Sequence, residues 1–292
     1  MNEETKTAVK TSLQHPGSKI AIQGVMGSNH HLAATQWAGP DATVIECDTF
    51  DELITRLVND SVDFGIMAVE NSTAGSILPN YALIDKNDLH VCGEHYLNIS
   101  HNVMALPGQS LEDIKEVHSH YMALLQCKEF FAQHPHIKLV EATDTALAAK
   151  EIAEKQQQGI AALAPVLASE LYDLEILAGD VQSISKNATR FVLVSKTRIF
   201  EPDVTINKAS LKFELDHKRG SLATALNVMS DCNLSLTKIQ SLPIIETPWR
   251  YSFFVDVVFE QTEDFDKAVA MLEIMAKHFK VIGTYNDKKI RS

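Results

Sequence analysis

The segment GIMAVENSTAGSI, Gly65 to Ile77, carries Glu70, Asn71, Ser72 and Thr73 directly after an apolar run and follows them with Gly75 and Ser76. A carboxylate, an amide and two hydroxyls thus meet at the end of a buried strand. The Gly-Ser pair is expected to open a helix, and a helix start offers free N–H groups and a favourable dipole to a carboxylate or phosphate. The plainer alternative, that Ser72 and Thr73 only cap that helix, stays open.

Two further clusters have the same character. In KNATRFVLV, Thr189 and Arg190 stand at the mouth of a strand that continues through Phe191 as an apolar run. A guanidinium there can fork onto a carboxylate, and a Thr hydroxyl can donate to a leaving oxygen; a strand-entry Thr beside a structurally paired Arg is the alternative. In VHSHYMALLQC, Ser119 and His120 lie between a short strand and a helix, with Gln126 further along it. An N-cap and a solvent-facing Gln are the ordinary reading.

Other chemistry finds little support. His30, His31, His134 and His136 form HH and HxH pairs without acidic or thiol companions at metal-ligand spacing, and Cys47, Cys92, Cys127 and Cys232 are far apart. The turn QGVMGSNHH holds Gly24, Gly27 and Ser28 but neither GxGxxG nor GxxxxGK[ST], and no GxSxG or HExxH occurs. No metal and no cofactor are expected.

The elements that must position these residues read as alternating short apolar runs and amphipathic segments from Lys19 onward. That alternation predicts an α/β fold with a mostly parallel sheet whose ligand sites lie at strand carboxyl ends, after Gly24 and after Val69. The rhythm resumes from His101 to Ser185, with helices over about Tyr121–Phe131 and Thr145–Lys155, so the first domain is expected to have two lobes. Pro202 breaks the pattern, and a domain boundary is placed near Lys196 to Lys208. The remainder reads βαββαβ, with helices from Gly220 to about Asp231 and from Thr262 to about His278.

Length and charge agree with this plan. The chain has 292 residues, which suggests two domains at roughly 150 residues each. Its formal charge of −12 repels phosphate backbones and acidic membranes, so neither nucleic acid nor a membrane is an expected partner. An acidic substrate must then be held by local donors. Neither a signal peptide nor an apolar stretch of about 18 residues is found, and a cytoplasmic location is expected.

Taken together, VENSTAGSI, HSH with LLQC, DTA at Asp144 to Ala146, and NATRF resemble the motifs of prephenate dehydratases, in family order from about Lys19 to the C-terminus. The resemblance implies a two-lobed catalytic domain over 19–197, similar to type 2 periplasmic binding proteins, then an ACT regulatory domain over 208–287. It implies conversion of prephenate to phenylpyruvate, water and CO2 in phenylalanine biosynthesis. Thr189 would be the catalytic hydroxyl, with Arg190, Glu70, Asn71, Ser119 and Gln126 as further catalytic residues. Ser72, Thr73, Gly75, Ser76, Thr145 and Phe191 would line the substrate cleft.

The resemblance further implies feedback by L-phenylalanine through Gly220, Ser221 and Leu222 and through Gln240, Ser241, Leu242 and Pro243, and assembly as a homodimer or homotetramer. The last four residues stand where the family has Glu-Ser-Arg-Pro, which removes a carboxylate and a guanidinium. His120-Tyr121-Met122 departs from the family's His-Pro-Gln. With about 18 residues before the first strand, a single activity is expected on this chain. Arogenate dehydratase and a non-catalytic amino-acid-sensing module are the competing readings.

Overall fold

The computed structural model describes residues 17–39, 41–199, 205–216, 218–244 and 247–288. Most of the polar lead-in and the stretch around Pro202 lie outside the described residues. Among the described residues no helix is long and apolar enough to cross a membrane. The chain divides into two compact units, Met1–Gly75 with Tyr96–Phe191, and Ser76–His95 with Val192–Ser292. The division is discontinuous, where the sequence reading draws one boundary near Lys196 to Lys208.

The elements in chain order begin β1 (Lys19–Gln23), α1 (Asn29–Ala38), β2 (Thr43–Cys47), α2 (Phe50–Val58), β3 (Phe64–Asn71), β4 (Gly75–Ser76), α3 (Leu78–Lys86), β5 (His90–Asn98) and β6 (Asn102–Ala105). There follow β7 (Glu116–Ser119), α4 (Tyr121–Gln126), α5 (Lys128–Ala132), β8 (Lys138–Glu141), α6 (Thr145–Lys155), β9 (Ile160–Ala164), α7 (Val166–Tyr172), β10 (Glu175–Ala178) and β11 (Ala188–Ser195). The last are β12 (Lys208–Glu214), α8 (Ser221–Asp231), β13 (Ser235–Pro243), β14 (Tyr251–Val258), α9 (Thr262–Met275) and β15 (Lys277–Tyr285).

The first unit holds two sheets. In one, the order is β2-β1-β3-β11, with β1 parallel to both neighbours. Six consecutive buried residues in β3, Phe64 to Val69, mark a strand covered on both faces. Helix α2 shows how the sequence builds that cover: Thr49 caps it by accepting from Glu52 N–H, Asp51 and Glu52 suit its first turn, and Leu53, Ile54 and Leu57 go into the core. Each such Leu or Ile contributes about 1.5–3 kcal/mol.

The second sheet runs β10-β6-β9-β7-β8 and has its own cores on both faces, around Val117, Leu163 and Phe131 and around Ala149, Ile152 and Ala162. The loop after β1 meets this second lobe. Tyr172 Oη donates to Met26 O at 2.6 Å, and a Cβ on Gly24 would come within 3.1 Å of Asp144 Oδ2. The single helix expected over Tyr121–Phe131 is two, interrupted at Cys127, whose ψ of 12° leaves the helical range.

In the second unit the order is β12-α8-β13-β14-α9-β15, and the sheet runs β13-β14-β12-β15, antiparallel throughout. One face buries Leu211, Phe213, Val255 and Val257 against Met229 and Leu272 of the two helices. The other face receives α3 and the start of β5: Tyr81 stands edge-on to Phe254 at 5.5 Å, Lys212 pairs with Asp85 at 2.8 Å, and buried Lys208 pairs with Glu94 at 2.8 Å. Helix α9 ends at Met275, not His278, because the chain turns extended at Ala276 and begins β15 at Lys277.

Candidate active site

The carboxyl end of β3 and the start of β11 are neighbours, and their side chains build the site. Asn71, the last residue of β3, turns its Oδ1 back onto its own chain, accepting from Thr73 N–H and Ala74 N–H at 2.9 Å each and from Thr73 Oγ1 at 2.7 Å. This Asx turn is what Asn-Ser-Thr encodes after a strand. Asn71 Nδ2 then donates to Asn187 Oδ1 at 2.7 Å and to Thr189 Oγ1 at 3.0 Å.

From the other lobe, Gln126 at the end of α4 donates through Nε2 to Thr73 Oγ1 at 2.8 Å and accepts at Oε1 from Asn187 Nδ2 at 2.9 Å. His101 Nε2 lies 2.9 Å from the same Oε1. Burial holds His101 below the ordinary histidine pKa, against a smaller rise from the Gln126 bond. The cluster of Asn71, Thr73, Gln126, Asn187 and Thr189 is therefore uncharged amide and hydroxyl throughout. Such a cluster offers an anion donors without a competing carboxylate.

Thr189 is 8 % exposed and accepts from Asn71, and no acceptor for its own proton is found among the described residues. Alternation along β11 sends Thr189 and Phe191 to one face and Arg190 to the other; along β3 it likewise separates Glu70 from Asn71. Phe191 packs edge-on against His30 at 5.0 Å. Arg190 is 4 % exposed. The sequence reading puts Arg190 on the same ligand as Thr189; the pleat sends the two side chains to opposite faces of β11.

Other expected site residues are distributed differently. Ser119 is fully buried at the end of β7 and donates to Leu163 O at 2.6 Å, so its hydroxyl is committed to the neighbouring strand. The cap of α4 is His120, whose Nδ1 accepts from Met122 N–H. Gly75 and Ser76 do not open a helix but form the two-residue strand β4; α3 begins at Leu78, and Ser76 belongs to the second unit, where Lys238 Nζ donates to it at 2.9 Å. The N–H groups expected to be free in the Ser72–Gly75 turn are partly used, those of Thr73 and Ala74 by Asn71.

Ser72 ties the two strands, its N–H donating to Ala188 O at 2.8 Å and its Oγ accepting from Ala188 N–H at 2.9 Å. Thr145 is the half-buried first residue of α6, next to the capping Asp144. Burial pushes the Asp144 carboxyl up, partly offset by the N–H groups of Leu147 and Ala146. Sequence reasoning missed Asn187 and His101. Asn187 lay inside the NATRF motif, and only its position one pleat before Thr189 signalled that the two share a face.

Residues 20–199 match the family model described as prephenate dehydratase. A bifunctional chorismate mutase/prephenate dehydratase of Enterobacter agglomerans is 31 % identical over 97 % of this chain and 75 % of its own length. The chain belongs to the prephenate dehydratase family. It is a dehydratase, a carbon–oxygen lyase. An Arabidopsis thaliana relative described as a chloroplastic arogenate dehydratase/prephenate dehydratase is 34 % identical over 91 % of this chain and 72 % of its own.

Among solved structures, the prephenate dehydratase of Arthrobacter aurescens in complex with L-Phe is similar at a TM-score of 0.83 and 25 % identity, over 92 % of this chain and 90 % of that one. A protein described as a quorum-quenching acylase is similar at 0.81 and 27 %, over 92 % and 98 %. The family match spans both lobes of the first unit, including Asn71, Gln126 and Thr189.

Proposed function

We propose that this chain converts prephenate to phenylpyruvate, with Thr189 as the catalytic hydroxyl. The observation that carries the reading is the direction of one hydrogen bond. Because Asn71 Oδ1 is occupied by two main-chain N–H groups, its Nδ2 faces Thr189 and makes Thr189 an acceptor, leaving the Thr189 proton for a ligand.

In the reaction, the bond between the ring and its carboxylate breaks and CO2 departs. Its electron pair moves through the ring and expels the hydroxyl opposite. The Thr189 hydroxyl donates to that oxygen as negative charge builds on it, and solvent completes the protonation to water. Aromatisation supplies the drive, so the protein needs only a hydrogen bond that strengthens in the transition state. The neutral amide and hydroxyl cluster suits a dianion better than an ammonium-bearing substrate, which favours prephenate over arogenate. Ser72, Thr73 and Gly75, exposed beside Thr189, are the proposed substrate-facing residues, with Thr145 opposite. Arg190 and Glu70 brace the strands from behind.

The second unit is proposed to be an ACT-type domain that binds phenylalanine. Its βαββαβ order supports this, as does a pocket lined by Ser221, Leu222, Trp249, Arg250 and Phe253, in which Arg250 offers the guanidinium that Gln240 to Pro243 lack. Assembly as a homodimer or homotetramer and a cytoplasmic location belong to the same proposal. The test is phenylpyruvate formation from prephenate by the full chain, with arogenate in parallel and phenylalanine added. Turnover of prephenate that phenylalanine reduces is expected. Folded protein inert toward prephenate overturns the reading.

A further inference from the structure

The Asn71–Thr189 bond is one branch of a larger hydrogen-bond network. Asn71 sits in a closed circuit of side chains: Asn71 Nδ2 to Asn187 Oδ1, Asn187 Nδ2 to Gln126 Oε1, Gln126 Nε2 to Thr73 Oγ1, and Thr73 Oγ1 to Asn71 Oδ1. Main-chain N–H groups cannot be reversed, and those of Thr73 and Ala74 set the polarity at Asn71. Every other amide in the circuit must follow that polarity, because a flipped amide would set donor against donor. Asn187 is held further by its own carbonyl, which accepts from Ile99 N–H at 2.7 Å, and is 1 % exposed.

On the far side of the circuit from the turn, Gln126 Oε1 receives a second partner, His101 Nε2. Since Gln126 Oε1 faces that nitrogen, Nε2 must carry the hydrogen. His101 is 4 % exposed, and its Nδ1 is buried with no hydrogen-bond partner among the described residues. A ring nitrogen left bare in this way is compatible with a neutral imidazole protonated at Nε2, since Nδ1 then carries no hydrogen that lacks an acceptor.

We infer that His101 is a positioning residue for the reaction: its Nε2–H, given to Gln126 Oε1, fixes which end of that amide meets Thr73 beside the ligand. It acts two residues removed from the ligand and touches none of the reacting atoms. Were Gln126 reversed, its Nε2 would meet two donors, His101 Nε2–H and Asn187 Nδ2–H. Without His101, only Asn187 opposes that reversal. The Gln126 amide would then sample the reversed order, in which its Oε1 draws the Thr73 proton away from Asn71.

The inference rests on the prephenate reading, and its test separates the two. His101→Leu, His101→Gln and Thr189→Val are prepared in the full chain, kcat and KM for prephenate are measured, and histidine 15N NMR is recorded on the unliganded wild type. In His101→Leu, kcat should fall about tenfold with KM nearly unchanged. His101→Gln, whose side-chain N–H can replace the donor, should recover most of it, which a purely structural loss would not allow. The NMR spectrum should show His101 neutral and protonated at Nε2. Unchanged kcat in His101→Leu, equal losses in Leu and Gln, or an Nδ1-protonated ring overturns the inference. Wild type without turnover sinks the prephenate reading alone, and the NMR result still decides the tautomer, as it does where a variant does not fold.

Discussion

Asn71 Nδ2 stands 3.0 Å from Thr189 Oγ1 and can only donate, because the other end of the same amide is pinned by the N–H groups of Thr73 and Ala74. A side chain of the same shape with the opposite polarity tests what that bond does. In Asn71→Asp an oxygen replaces Nδ2, and the Thr189 proton is drawn to it. We expect kcat to fall by about 10²–10³-fold, further than in Asn71→Ala, where Thr189 keeps its freedom. Steady-state kinetics on the two variants gives the comparison, and a milder effect of Asp than of Ala contradicts the orientation argument.

Thr189 itself has a direct test. Thr189→Val preserves volume and removes the hydroxyl, so a loss of about 10² or more in kcat is expected, with Thr189→Ser retaining part of the rate. Full activity in folded Thr189→Val would remove Thr189 from the chemistry.

Arg190 lies on the opposite face of β11 from Thr189 and is 4 % exposed. Arg190→Lys should therefore lower thermal stability while KM for prephenate changes less than about twofold. A large rise in KM at an unchanged melting temperature would put the guanidinium on the substrate after all.

Gly283 in β15 passes so close to β5 that a Cβ would come within 1.9 Å of the Val91 carbonyl oxygen. No side chain can yield there, since the obstacle is main chain. Gly283→Ala should destabilise the second unit by about 1–3 kcal/mol or more, read as a lower denaturation midpoint. An unchanged midpoint would show that β15 and β5 do not approach in this way.

The buried ring of His30, between Phe50 and Phe191, has its pKa lowered by burial from 6.5 to about 4. The unfolded chain takes up a proton near pH 6.5 and the folded one not until about 4. Stability should therefore fall as pH drops through that window and level off below it. Chemical denaturation at a series of pH values should show this for the wild type and a shallower decline for His30→Gln; parallel curves would mean that His30 is not the source.

Much of this protein was legible in its residues. The order of strands and helices follows from apolar periodicity and from caps such as Thr49 and Asp144, both of which are local properties of a few adjacent residues. Asn71, Gln126 and Thr189 were legible as candidate site residues because polar groups at strand and helix ends carry a recognisable pattern. Tertiary structure decided what those residues do to one another. Asn187 and Gln126 are 61 positions apart and meet only because β11 and α4 converge; Ser119 proved to be fastened to Leu163, and Arg190 to be turned away by the pleat. Hydrogen-bond direction is the last thing a sequence can convey: an amide has two ends of nearly the same shape, and only its neighbours, for Asn71 the main-chain N–H groups of Thr73 and Ala74, determine which end faces Thr189.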